Sequence, residues 1–282
     1  MKIEVTNLSY SYDNKKFAIK DATTKINEGE FVAIVGHTGS GKSTFIQNLN
    51  ALLIPTSGKV EVDEFVIEHK LKISNIKQLR KKIGIVFQFP EYQLFEETVE
   101  KDILFGPKNF NMDPKEIQHI ASDVLYTVGL NDSFLEKSPF ELSGGEKRRV
   151  AIAGILAFNP DVLIVDEPTA GLDPNSAINM MNLFKKLNQQ GKTIILVTHN
   201  MDHVLEYASR MIVFNNGNIL ADGKPLELYK NLELIKQIGI DVPNVINLVN
   251  LVSVKYPKIK DYPIKSIQDF TKAYKEVIKS WP

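Results

Sequence analysis

The stretch Phe31-Val-Ala-Ile-Val35-Gly36-His37-Thr38-Gly39-Ser40-Gly41-Lys42-Ser43-Thr44 decides the fold. Its first five residues are an unbroken apolar run, the pattern of a strand buried on both faces of a parallel sheet. The turn after it fits G-x-x-x-x-G-K-[ST]. Glycines in such a turn let backbone amides approach phosphate oxygens with no Cβ in the way. Ser43 to Leu53 then has helical spacing and stops at Pro55. A helix beginning here aims its positive end at the same anion. Lys42 adds a point charge for the β- and γ-phosphates, and the Ser43 hydroxyl suits Mg²⁺. The stretch reads as a nucleotide phosphate site.

Outward from this loop, Ile3 to Leu8 and Ala22 to Ile26 read as strands, with a polar turn at Asp13-Asn14. Ile83 to Phe87, Val162 to Val165, Thr193 to Val197 and Met211 to Phe214 are further short apolar strands. Helical segments separate them, which implies an α/β fold with helices packed on a mostly parallel sheet. Asp113 is a candidate N-cap, with Pro114 in the first turn and Glu116 completing a capping box. Ile117, Ile120, Ala121, Val124, Leu125 and Val128 make one apolar stripe that Gly129 ends. After about Lys224 the buried-strand runs stop. Ile267, Phe270, Tyr274, Val277, Ile278 and Trp281 mark a final amphipathic helix.

Composition bounds the chemistry. The 282 residues include 34 Lys plus Arg, 34 Asp plus Glu and no cysteine. Thiol catalysis and cysteine-held metals are excluded. A net charge of zero argues against broad attraction to nucleic acid or anionic lipid. The start lacks the apolar run of a signal peptide. No apolar run approaches the ~20 residues of a membrane span.

Asp161-Val-Leu-Ile-Val165-Asp166-Glu167 is a strand ending in two acids. Ligand-binding groups in open α/β sheets gather at the carboxyl ends of strands. Asp166 suits the magnesium, and Glu167 suits an attacking water. Leu142-Ser143-Gly144-Gly145-Glu146 reads first as a capping box at a helix start, and its glycines make a second anion-binding N-terminus.

In this order these motifs resemble the ATP-binding cassette family of ATPases, over roughly Met1 to Gly223. The resemblance implies a P-loop cassette at 1–223, with a β-rich N-terminal subdomain and a helical signature subdomain at about 90–160. It implies ATP and Mg²⁺ as cofactors. Gly36 to Thr44 and the signature Ser143 to Glu146 would bind nucleotide, each signature serving the ATP of a facing cassette. Ser43, Gln88 and Asp166 would hold the metal. Glu167, His199, Lys42 and Gln88 would act in hydrolysis, and Gly171-Leu-Asp173 would cross the dimer interface. Tyr12 is either a strand aromatic or, by the resemblance, the residue that stacks on adenine. Most members have Gln where this chain has Glu146. A Glu folded back onto Ser143 would keep the cap.

Phe87-Gln88-Phe-Pro-Glu-Tyr-Gln-Leu-Phe95, Glu97 to Glu100, Phe105 to Lys108 and Arg148 to Gly154 look like the ATPase subunits of energy-coupling factor transporters, second-paralogue type. These subunits power import of vitamins or transition metals. The resemblance implies a paralogous ATPase as partner, in a heterodimer or else a homodimer. A transmembrane coupling subunit and a substrate-binding membrane subunit complete the complex, at the cytoplasmic face of the membrane. Phe87 to Phe95 is expected as a loop that receives a partner helix, with Glu91, Glu96 or Glu97 near a partner Arg. The segment 224–282 is expected as a helical appendage, either a cap over a sheet edge or a source of dimer contacts.

Other readings are weaker. A cassette acting on DNA or the ribosome would carry a coiled-coil insertion or a second cassette, and a metabolite kinase has no use for Ser143 to Glu146. His199 and His203 lack a third zinc ligand, and His203 is expected as a solvated helix residue. Lys147-Arg148-Arg149 is expected as a solvated or interface face rather than a nucleic-acid patch.

Overall fold

A computed structural model describes residues 1–13, 15–70, 75–229, 231, 235 and 239–279. Strands β1 (Ile3–Ser11) and β2 (Phe17–Ile26) are followed by β3 (Phe31–Val35) and helix α1 (Lys42–Leu49). Next come β4 (Ser57–Val62), β5 (Phe65–Glu68), α2 (Ile76–Lys82) and β6 (Ile83–Val86). Four helices follow: α3 (Val99–Asn109), α4 (Pro114–Ile117), α5 (Ile120–Thr127) and α6 (Gly144–Leu156). Then come β7 (Val162–Asp166), α7 (Pro174–Gln189), β8 (Thr193–Val197), α8 (Met201–Tyr207), β9 (Arg210–Asn215) and β10 (Asn218–Gly223). Helices Pro225–Leu228, Asn244–Ser253 and Ile267–Lys279 lie beyond β10.

Two sheets result. The antiparallel one has the order β2-β1-β4-β5, and the larger one runs β10-β9-β3-β8-β7-β6. Within the larger sheet β9, β3, β8, β7 and β6 are mutually parallel, and β10 closes one edge antiparallel. Alternation along β3 explains the layering. Val32 and Ile34 join Phe45, Ile46 and Leu49 of α1 and the inner residues of β1 and β4 in one apolar core. Phe31, Ala33 and Val35 face a second core built with α5, α6, α7 and α8. Phe270, Ala273 and Val277 of the last helix belong to that second core. The C-terminal helices are therefore continuous with the hydrophobic interior. Phe31 to Val35 are all buried, as a strand covered on both faces must be.

Several sequence expectations are corrected. Helix α1 ends at Leu49 rather than Leu53, because Ala51 adopts a left-handed φ of 57°. The amides of Leu52 and Leu53 then turn back onto the Gln47 carbonyl. The expected single helix after Asp113 is two, α4 and α5, broken at Gln118-His119. The Asp113 carboxylate caps α4 through the Lys115 amide at 2.8 Å, without the reciprocal Glu116 contact. The apolar stripe of α5 still packs inward through Ala121 and Leu125. In the last helix Ile267 and Ile278 are exposed, and Ala273 takes a core place instead. Asn14 of the expected turn and Trp281 of the expected stripe lie outside the described residues.

Arg210 fastens one sheet to the other. From β9 it donates to both oxygens of Asp222 at 2.6 and 2.7 Å, and to the Lys25 carbonyl of β2 at 2.6 Å. It also reaches Thr24 Oγ1 at 3.1 Å and Glu30 at 3.3 Å. Its guanidinium fork suits this multiple bonding. Arg210→Ala is expected to lower unfolding free energy by about 2 kcal/mol in denaturant titration, since bonds to charged groups carry that scale. A change under about 0.5 kcal/mol would show that the sheets need no such tie.

Candidate functional site

Neighbouring strands β3, β8, β7 and β6 all point their carboxyl ends the same way. This one constraint brings Gly36, His199, Asp166, Glu167 and Gln88 to one edge. Gly36 has φ 146°, and a Cβ there would stand 2.2 Å from the Phe214 carbonyl oxygen. Gly41 has φ 108°, and a Cβ there would stand 2.5 Å from the Ala18 carbonyl oxygen. Only glycine satisfies both the torsion and the space.

The loop curls around the Lys42 ammonium. Lys42 Nζ donates to the carbonyls of Gly36 at 2.7 Å and His37 at 3.0 Å. Burial pushes its pKa down, while Glu167 and Asp166 act the other way. His37 contacts the Thr38 carbonyl and Asn215 Oδ1 through its two ring nitrogens. Gly39, Gly41, Lys42, Ser43 and Thr44, with Tyr12 and Ala18, line a cleft of about 240 Å³. Ser40 is fully buried inside the loop. Tyr12 is 66% exposed, and its hydroxyl lies 3.0 Å from Thr44 Oγ1. Its ring is therefore held at the cleft rather than in the core. A larger cavity, about 390 Å³, lies elsewhere, between α6 and α7, and contains none of the phosphate-loop residues. The strand-end chemistry, not cavity size, locates the site.

At the acidic end, Ser43 Oγ lies 3.5 Å from Asp166 Oδ2. Burial, and next the adjacent Glu167, push the Asp166 carboxyl up to about 6, against the pull of Lys42 and Ser43. Glu167 takes a left-handed φ of 48°. Its amide donates to the Val197 carbonyl at 2.9 Å, which registers it against β8. Its carboxylate meets His199 Nδ1 at 2.8 Å and accepts from Thr198 Oγ1 at 3.3 Å. Gln88 is exposed, two residues beyond β6, the strand paired with β7. Thr198 was missed in the sequence, although it sits between the strand end and His199. His203 is not the solvated residue expected. Its ring is partly buried, and burial pushes its pKa down.

The signature segment makes its polar contacts elsewhere. Among the described residues no hydrogen bond or ion pair joins Ser143, Gly144, Gly145 or Glu146 to the phosphate loop. Both expected halves of the capping box are present. Ser143 Oγ accepts from the Glu146 amide at 3.4 Å, and a Glu146 carboxylate oxygen accepts from the Ser143 amide at 2.9 Å. The Ser143 hydroxyl and amide bonds hold the Glu146 carboxyl below the usual range. Cβ atoms at Gly144 or Gly145 would meet nothing within 4 Å, so this helix end is open. Asp173 caps α7 through the amides of Asn175 and Ser176.

Arg148 overturns the expectation of a solvated basic face. It is 3% exposed, and its fork grips Glu91 at 3.0 and 2.8 Å. Burial pushes the Glu91 carboxyl up, but the Arg148 bonds outweigh it and hold it low. Glu91 is therefore engaged within the chain rather than free for a partner Arg. Phe89, Tyr92, Phe95 and Phe105 remain exposed around it. The segment Pro90–Gln93 is a short 3₁₀ turn, as a loop beginning at proline should be.

Comparison with known proteins agrees with this geometry. The ABC transporter family model matches residues 19–170, more than half of the chain. The energy-coupling factor transporter ATP-binding protein EcfA2 of Spiroplasma kunkelii is 48% identical over 276 residues, spanning 96% of this chain and 90% of that one. Its counterpart in Lactococcus lactis subsp. cremoris is 50% identical over 246 residues, 86% of this chain and 85% of that one. Among solved structures, cbiO1 of Clostridium perfringens, described as part of the ABC transporter complex cbiONQ, aligns with TM-score 0.73 and 37% identity, covering 88% of this chain and 98% of that one. A dimeric ATP-binding cassette in a post-hydrolysis state with ADP and Pi aligns with TM-score 0.69 and 33% identity, covering 79% and 98%. The chain belongs to the ABC transporter family and, within it, to the ATP-binding proteins of energy-coupling factor transporters. It is an ATPase whose hydrolysis is coupled to membrane transport. No helix among the described residues is long and apolar enough to cross a membrane.

Glu146 already occupies the place that a Gln would take in the cap. Glu146→Gln is expected to change ATP turnover by less than about tenfold, roughly 1.4 kcal/mol of barrier. A larger change in steady-state hydrolysis would show that the charge itself matters at the nucleotide.

Proposed function

We propose that this chain drives uptake of a vitamin or transition-metal micronutrient, as one ATPase of a membrane complex working from its cytoplasmic face. The meeting of Ser43, Asp166, Glu167 and His199 at one sheet edge beside the phosphate loop supports the ATPase part of this reading, and the likeness to energy-coupling factor transporter ATP-binding proteins supports the transport part. Tyr12 stacks on adenine. The amides from Gly36 to Thr44 and the Lys42 ammonium hold the triphosphate and neutralise charge that spreads over the γ-phosphoryl oxygens. Ser43, Asp166 and Gln88 offer a hydroxyl, a carboxylate and an amide oxygen, the hard oxygen set that suits Mg²⁺. When bound, the metal ion adds positive charge against the β- and γ-oxygens.

Glu167 orients the attacking water and accepts its proton. The His199 and Thr198 contacts fix the direction of the Glu167 carboxylate. Ser143 to Glu146 serve the nucleotide held on another cassette, which agrees with the absence, among the described residues, of any hydrogen bond or ion pair between them and this chain's own loop. The paralogous ATPase is the facing cassette, with a second copy of this chain as the alternative. Closure on ATP and reopening after hydrolysis move the loop at Gln88. The exposed ring cluster of Phe89, Tyr92, Phe95 and Phe105, with Glu96 and Glu97 beside it, receives a helix of the transmembrane coupling subunit. A separate membrane subunit selects the substrate.

Glu167→Gln should keep ATP affinity within about threefold and lower turnover at least about 100-fold, near 2.7 kcal/mol. Turnover within threefold of the parent protein would remove Glu167 as the catalytic carboxylate. Tyr92→Arg with Phe95→Arg should leave ATP binding intact and abolish co-purification with membrane subunits. Undiminished co-purification would place the docking surface elsewhere.

A further inference from the structure

Three segments that serve different tasks meet at one buried side chain. Arg148 lies in the first turns of α6, a few residues after Ser143. Its Nε and Nη2 bind both oxygens of Glu91, on the loop three residues past Gln88. Its Nη1 donates to the Ala170 carbonyl at 2.7 Å and the Pro168 carbonyl at 3.3 Å. The Phe89 ring lies 5.6 Å from the guanidinium carbon. The Arg148 side chain is 4% exposed and that of Glu91 15%.

The carbonyls of Pro168 and Ala170 are not arbitrary partners. They belong to the turn that begins at Glu167, closed by the Ala170 amide on the Glu167 carbonyl at 3.1 Å. Glu167 sits at φ 48°, a conformation that a non-glycine residue keeps only when its surroundings over-determine it. On one side Val197 supplies the constraint through the Glu167 amide. On the other, Arg148 holds the turn by two of its four carbonyls, those of Pro168 and Ala170. The loop that carries Glu91 therefore touches the base of the catalytic carboxylate through one guanidinium.

We propose that Arg148 is the positioning residue through which movement of the Phe89–Glu91 loop sets the orientation of Glu167. The inference rests on the reading of the chain as a transport ATPase and names the route by which that site is regulated. A loop shift that draws Glu91 away changes the direction of the planar fork, because its three nitrogens cannot turn independently. The bonds to Pro168 and Ala170 change with it. Docking state at the membrane-facing loop is then read at the turn holding Glu167. Arg148 contacts neither Tyr12 nor the phosphate loop among the described residues, so nucleotide affinity stays outside this route.

Two variants separate positioning from mere support. Arg148→Lys keeps the charge but loses the fork. Arg148→Met with Glu91→Leu removes the ion pair without leaving a buried charge, a replacement that buried pairs commonly tolerate. Each is assayed in the reconstituted transport complex for kcat, for the KM of ATP, and for substrate taken up per ATP hydrolysed, after thermal unfolding confirms a folded chain. The uptake ratio does not depend on the fraction of active protein, so partial misfolding does not move it. We expect the KM of ATP to stay within about threefold, kcat to fall at least about tenfold (1.4 kcal/mol), and uptake per ATP to fall at least fivefold, on the order of 1 kcal/mol. An apolar pair that restores both kcat and the uptake ratio overturns the proposal and leaves Arg148 as structural support. A parent complex without ATP-driven uptake overturns the transport reading, and this inference with it.

Discussion

The site depends on how closely one loop backbone is pressed against its neighbours. Gly36 lies against the Phe214 carbonyl and Gly41 against the Ala18 carbonyl, with no room for a side-chain carbon at either. Phe214 is in β9 and Ala18 in β2, so both sheets press on the loop. The loop cannot relax outward without breaking the apolar core that Phe45, Ile46 and Phe214 share. The loop is thus held by packing together with the Lys42 bonds to the Gly36 and His37 carbonyls, and anion binding at such a preformed end needs little reordering.

From that loop, parallel pairing does the rest. A strand that runs parallel to β3 must end where β3 ends, and this places Asp166, Glu167 and His199 beside the phosphate site without any local instruction. Charges gathered there are only partly solvated. Lys42 is biased toward losing its proton by burial, and Asp166 toward keeping one. A triphosphate with its metal ion would reverse both biases, because each group would then face opposite charge. The site is poised for a ligand that brings several charges of both signs.

Elements with strong local signals were legible in the sequence. The buried strands carry continuous apolar runs, and the glycine loop and capping box have fixed spacing, so β3, β7, β8 and the start of α6 stand where expected. Other features depend on long-range pairing. In the hairpin of β4 and β5, β4 alternates Lys59 and Glu61 with Val60 and Val62, and pairing with β1 extends it into a sheet. Arg148 lies in a run of three basic residues, which favours a solvated reading. Its burial is set by Glu91, 57 residues away, and by the carbonyls at Pro168 and Ala170. The same pairing withdraws Glu91 from the partner-facing role that the sequence suggested. Breaks such as Gln118-His119 and Ala51 reflect backbone torsions that apolar periodicity does not encode.

The proposed function gives this chain two halves of different sites, a phosphate loop for its own ATP and an open signature end for the ATP of another cassette. The rate of ATP hydrolysis per chain, measured with and without an equal ratio of the proposed paralogous ATPase as total protein is diluted, tests this most directly. The rate per chain is expected to fall on dilution and to saturate at high concentration, because hydrolysis needs two chains together. A rate per chain that is constant down to concentrations where sedimentation shows only monomers would contradict it.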